Sequence, residues 1–187
     1  MRDGRLYGIR PYGEEYELFA VSRDQFIRKS HAVDYRVERS GNAVAAIETT
    51  YEGEKERLPH MPDGAKIPWD YLQQGDTAGA RAAFMKIYAE NPEDPAVSEE
   101  GLNQSGYNRA YGGEYPAAIF VMKLNTELRP TSTNTYDSLA DVYLMAGDRA
   151  SALDTYKRLL EVAPKDTKTK AELKARLVEN AERKLRE

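Results

Sequence analysis

Asp137 and Asp141 stand one helical turn apart, a spacing that puts two carboxylates on one helix face, and paired acids so placed can work as general acid and general base. That chemistry needs one of the two in a pocket that raises its pKa; the expectation here is an exposed helix face with both carboxylates solvated. His31 and His60 are the chain's 2 histidines, neither with a second His or Glu at a helical ligand spacing, and there is no cysteine. No metal site and no cofactor are therefore expected. No serine is followed three residues later by lysine, and neither Lys-Thr-Gly nor Gly-x-Ser-x-Gly occurs. Without an activated serine the chain reads as non-catalytic. The basic residues crowded between Lys165 and Arg186 read as the solvated face of a helix, and Glu99 and Glu100 as acids favoured at a helix start.

Composition sets outer bounds. A chain of 187 residues with 41% hydrophobic and 10% aromatic content can bury one or two small cores. A net charge of −4 argues against nucleic acid as a partner. No run approaches the roughly 18 apolar residues of a membrane span, and the opening Met1-Arg2-Asp3-Gly4 lacks an apolar signal core. The chain as written is expected to be soluble.

The elements that carry these residues are set by a repeat. Gly113, Ala118 and Pro130 return 34 residues later as Gly147, Ala152 and Pro164, which is the tetratricopeptide period. Each landmark has a mechanical role. Glycine ends the first helix in a left-handed conformation, alanine lets two helix backbones approach, and proline stops the second helix. The apolar positions keep the same step, Leu102 with Tyr136, Ile119 with Leu153, Met122 with Tyr156 and Leu128 with Val162. Repeats are placed at 99–132 and 133–166. A partial copy at 69–92 carries Gly75, Ala80, Phe84 and Pro92 at a step of 38, with only a short first helix over Trp69 to Gln74. Leu173, Leu177, Ala181 and Leu185 predict a capping helix over 167–186.

Residues 1–61 have another grammar. Leu6–Ile9, Tyr16–Val21, Gln25–Arg28, Val33–Glu38, Ala43–Tyr51 and Lys55–Leu58 are short stretches rich in β-branched and aromatic residues, broken by Gly13, Ser40-Gly41-Asn42 and Glu52-Gly53. They predict an antiparallel β-meander. Val33, Tyr35 and Val37 alternate with Asp34, Arg36 and Glu38, giving one buried and one wet face. The fold class is thus α+β, a β-meander over 1–61 followed by an all-α repeat array over 62–187. The first strand, Leu6–Ile9, is expected at an edge, either covered by the array or pairing two copies into a homodimer through the β domain.

Val97-Ser98-Glu99, Leu102-Asn103, Gly106-Tyr107, Ala118-Ile119, Lys123-Leu124-Asn125 and Asn134 to Ala140 resemble the tetratricopeptide tail of bacterial serine hydrolases of the β-lactamase and penicillin-binding class. Gly4-Arg5-Leu6-Tyr7 and Asp24-Gln25-Phe26 resemble the small lipocalin-like domain that follows the catalytic domain in some of them. Ser105 and Arg109 depart from the repeat, which has an aliphatic and an aromatic or leucine there. Either the middle repeat packs less tightly or these positions face the β domain. The resemblance implies the accessory region of a larger hydrolase, periplasmic or secreted; a free-standing interaction module would be cytoplasmic.

In tetratricopeptide arrays the first helices line the concave face. Projected onto this chain, that face holds Glu100, Asn103, Tyr107 and Tyr111 beside Asn134, Asp137, Asp141 and Met145. It is acidic and aromatic, suited to an extended basic peptide as partner. The competing reading is that so short an array only braces a neighbouring domain.

Overall fold

The computed structural model describes residues 6–9, 15–28, 30, 32–62 and 64–187, so Gly4, Arg5, Gly13 and His31 lie outside the described residues. The chain divides between Lys66 and Ile67 into two compact units.

The first unit is a six-stranded antiparallel sheet in sequence order, β1 (Leu6–Ile9), β2 (Glu15–Ala20), β3 (Gln25–Arg28), β4 (Val33–Ser40), β5 (Ala43–Tyr51) and β6 (Glu54–Pro59). Two-residue turns at Gly41-Asn42 and Glu52-Gly53 return β4 onto β5 and β5 onto β6. At Glu52-Gly53 both residues have positive φ, 51° and 89°, the combination a tight β5–β6 hairpin needs. A register shift at Glu38/Arg39 bulges β4 against β5. Pairing of Phe26 with Tyr35 and of Val37 with Ile47 and then Leu58 collects the apolar residues on one face. The opposite face carries cross-strand ion pairs, Lys55–Glu48 at 2.9 Å and Arg57–Glu38 at 2.8 Å. The expected buried face is only half-buried. Val33, Tyr35 and Val37 are intermediate, and the buried members of the described sheet are Ala46 and Arg28, whose guanidinium lies 4.6 Å from the Tyr16 ring centre. Within the described sheet β1 pairs only with β2, so it is an edge strand.

The second unit comprises α1 (Pro68–Gln73), α2 (Thr77–Glu90), α3 (Glu99–Tyr111), α4 (Tyr115–Leu128), α5 (Thr133–Met145), α6 (Arg149–Val162) and α7 (Ala171–Arg186). Gly75, Gly113 and Gly147 close the first helix of each hairpin at φ of 74°, 78° and 79°. The residue after each glycine bonds back across the turn, Asp76 N to Tyr71 O at 2.9 Å, Glu114 N to Arg109 O at 2.8 Å and Asp148 N to Tyr143 O at 2.9 Å. The turn thus repeats in hydrogen bonds as well as in sequence. Asp76 and Asp148 then cap the second helices through Gly79 N and Ser151 N.

Each apolar cluster belongs to two neighbours. Trp69 and Phe84 of the first hairpin, ring centres 5.0 Å apart and edge to face, pack with Val97, Leu102, Val121 and Leu124. Ala110, Ala118 and Met122 pack with Leu139, Val142, Tyr143 and Ala152. Ala140, Tyr156 and Leu159 close on Ala181 of α7. The two departures in the middle repeat face inward within this unit. Ser105 is fully buried, and the Arg109 guanidinium stacks 4.5 Å from the Trp69 ring centre.

The capping helix starts later than expected and its stripe is rotated. Pro164 sits in a 3₁₀ turn, and the Asp166 carboxylate accepts from Lys168 N and Thr169 N, holding the chain out of helix until Ala171. Val178, Ala181 and Leu185 face the third hairpin, whereas Leu173 is exposed. Among the described residues no helix is long and apolar enough to cross a membrane.

Ala152 has no exposed surface and packs against the second hairpin. Ala152→Leu is expected to lower stability by about 1–3 kcal/mol through overpacking, read as a lower melting temperature; an unchanged melting temperature would contradict this register.

Candidate functional site

α3, α5 and α7 lie side by side, α7 taking the place a further repeat's first helix would occupy. The residues projected onto this face divide into two kinds. Glu100 and Tyr111 project into solvent, Tyr111 at 77% exposure with its ring stacked 6.2 Å from that of Tyr107. Met145 is half-buried against the middle cluster.

The others are spent on joining helices. Asn103 Oδ1 accepts from Asn125 Nδ2 at 2.9 Å, and Asn134 Nδ2 donates to Glu99 Oε1 at 2.8 Å, tying α5 to α3. The Tyr107 hydroxyl donates to one oxygen of Asp141 at 3.3 Å and the Tyr156 hydroxyl to the other at 2.9 Å, so this carboxylate bridges α3 and α6. Asp137 accepts from Asn180 Nδ2 at 3.2 Å, which pins α7 to α5.

Asp137 is thus not the solvated acid expected. It is 8% exposed, and burial, with repulsion from Asp141 second, pushes its pKa up to about 6 against the opposing Asn180 hydrogen bond. Burial likewise raises the Tyr107 and Tyr156 phenols, with Asp141 adding to the shift in both. The cavity beside Asp137, about 390 Å³, is lined by Arg176, Leu177, Glu179, Asn180 and Arg183 of α7, two cations to one acid. The face as a whole is therefore not uniformly acidic. It is acidic and aromatic along α3 and basic along α7, because the capping helix contributes arginines that the projection from α3 and α5 alone omits.

Three further residues fix this face, and the sequence reading passed over their polar roles. Asn125 is fully buried and donates to Glu99 O at 3.0 Å as well as to Asn103; one repeat later its place is taken by Leu159, so a polar residue at a core position was the available signal. Asp166 is 2% exposed. Burial opposes its ionisation, but hydrogen bonds from Thr169 and Thr133 outweigh that and hold the carboxyl well below the usual range. It thereby caps α5 from the following linker. Asn180 had no signal, since its partner is 43 residues away. His60 is exposed, with its backbone NH donating to Ala45 O, and no metal-ligating group of three forms among the described residues.

The tetratricopeptide-repeat family model matches residues 137–166. The helical unit is a tetratricopeptide-like array. Solved structures with some likeness include the TPR2B domain of yeast Sti1 in its pHsp70 complex, 20% identical over 62% of this chain and 90% of that one, TM-score 0.38. Others are the Yersinia enterocolitica type III secretion translocator chaperone SycD (18%, 64% and 81%, TM-score 0.39) and the first TPR domain of human RPAP3 (16%, 64% and 87%, TM-score 0.35). No curated protein matches the chain.

The raised pKa of Asp137 gives a pH signature. Below about pH 4 it is protonated folded and unfolded and contributes nothing. As pH rises towards 6 the unfolded chain releases the proton while the folded chain keeps it, so stability falls; above about 6 the loss is complete, at most about 3 kcal/mol. Asp137→Asn can still accept from Asn180 and removes this loss. The melting temperature of the variant minus that of the parent is expected to rise between pH 4 and pH 7, and a constant difference would show that Asp137 ionises without cost.

Proposed function

We propose that the helical unit is a non-enzymatic interaction module that receives an extended peptide along α3 and α5, basic and partly apolar where it meets α3. The observation that carries this reading is Tyr111, 77% exposed yet held by stacking on Tyr107, whose hydroxyl is in turn held by Asp141. A solvent-exposed but preorganised aromatic is an apolar anchor that loses little freedom on binding. Exposed Glu100 on the same helix stripe supplies the charge attraction. Residues buried in the helix joints give the face its shape and are not contacts.

A second reading, that the chain is the accessory region of a serine β-lactamase-like hydrolase, is favoured by the antiparallel sheet preceding the array. Its test is the native reading frame upstream of Met1, where a Ser-x-x-Lys-bearing domain would support it and its absence would leave the interaction module alone.

The test of the first reading uses Tyr111 and Glu100, since reversing Asp137 would strand a lysine in a buried site. A fluorescent Lys/Arg-rich peptide containing aromatic residues is expected to bind with an affinity that falls as salt rises, while an acidic peptide does not bind. Tyr111→Ala and Glu100→Lys should each weaken binding about fivefold or more with helix content unchanged. A peptide library without basic hits, or hits indifferent to both variants, would leave bracing of a neighbouring domain as the role of the array.

A further inference from the structure

α7 presents two faces. One borders the Asp137 cavity; the other, with the end of α6, forms an open apolar groove of about 490 Å³ floored by Leu160, Pro164, Ala171, Ala175 and Val178. In a repeat array this is where the second helix of the next hairpin would lie, antiparallel to the first. The small side chains of Ala171 and Ala175 leave room for a backbone to come close, and Val178, half-buried where the third hairpin meets the groove, borders it near the middle of the helix.

We propose that this groove is a homodimer interface in which α7 of a second copy lies antiparallel on α7, with a two-fold axis at Val178. The charges lining the groove choose the occupant. Lys174 and Glu182 stand four residues to either side of Val178, so an antiparallel two-fold partner sets Lys174 against the partner's Glu182 and repeats the pair at the other end. A parallel helix would set like against like. Lys174 Nζ donates to Asp166 O at 2.6 Å, which holds it at the groove, and Glu182 is held by a long, exposed ion pair with Arg186 at 3.9 Å. Each copy's α7 then does for the other what the second helix of a following repeat would do, and the apolar groove closes with no further chain.

The chain has no cysteine, so a single introduced thiol reports the geometry directly. Full-length Val178→Cys places two thiols together on the axis and is expected to form an inter-chain disulfide under mild oxidation, whereas Leu173→Cys, off the groove, is not. In sedimentation equilibrium the parent chain should dimerise. Lys174→Glu and Glu182→Lys should each weaken the dimer about tenfold by creating like-charge contacts twice over, and the double reversal should restore it to within about threefold. Parent protein that stays monomeric at about 200 μM, a dimer indifferent to both reversals, or a dimer that never cross-links at position 178 would overturn the proposal. The last result would assign self-association to another surface, the β1 edge foremost.

Discussion

A helical hairpin of this kind has apolar surface on both flanks, and the whole second unit depends on covering both. Each apolar cluster draws on a hairpin and its neighbour, which is another hairpin for the first two clusters and the capping helix α7 for the third, so none of them is a core that a single repeat could keep. The ends are where this constraint bites. At one end α1 has only 6 residues, too few to be stable alone. It is held by Trp69, which packs edge to face on Phe84 and takes the Arg109 guanidinium on its ring. A position that in other repeats holds an aromatic or leucine thus holds a cation, because what it meets is an aromatic face. At the other end α7 presses Ala181 against Tyr156 and Leu159.

Apolar stacking is non-directional, and it would tolerate a helix slid or rotated by a residue. The polar side chains between the first helices remove that freedom. Asp141 satisfies both its oxygens only when Tyr107 of α3 and Tyr156 of α6 are in place together, and Asp137 reaches Asn180 only when α7 lies in its observed register. The cost falls on two nearby carboxylates held by neutral donors: burial, with repulsion from Asp141 second, raises the pKa of Asp137. Apolar contact supplies the stabilisation and the acids specify the arrangement, so two residues that look like a site from their spacing are part of the joint.

Legibility follows the same division. The helices, their glycine turns and all six strands to within two residues were readable because each is decided locally: Gly75, Gly113 and Gly147 by backbone conformation, Pro130 by its missing donor, Val33 to Val37 by alternation. The burial of Asp137 was not readable. An aspartate on a stripe with Asn134 and Asp141 is solvated on a lone helix, and what buries it is α7, forty residues on and rotated from its apparent stripe. That rotation was itself hidden, because it is fixed by where Asp166 caps the linker and lets α7 begin. Asn180 was missed for the same reason, its partner being set by tertiary contact alone, whereas Asn125 was legible as a polar residue at a core position of the repeat but its partners were not.

Function in such an array belongs to whatever surface stacking leaves uncovered. Here those surfaces are chemically distinct and built from different residues. The exposed stripe of α3 offers an aromatic anchored from behind by the Asp141 bridge, whereas the α6–α7 groove offers small apolar residues between opposite charges. Because α7 meets Asp137 through Asn180 and lines the groove through Ala175 and Val178, a partner seated in the groove bears on the same helix that completes the first-helix face. Occupancy of the groove would steady α7 against α5, and with it the basic end of that face, without covering Glu100 or Tyr111. The helix that closes the array is therefore also the element that borders both of its open surfaces.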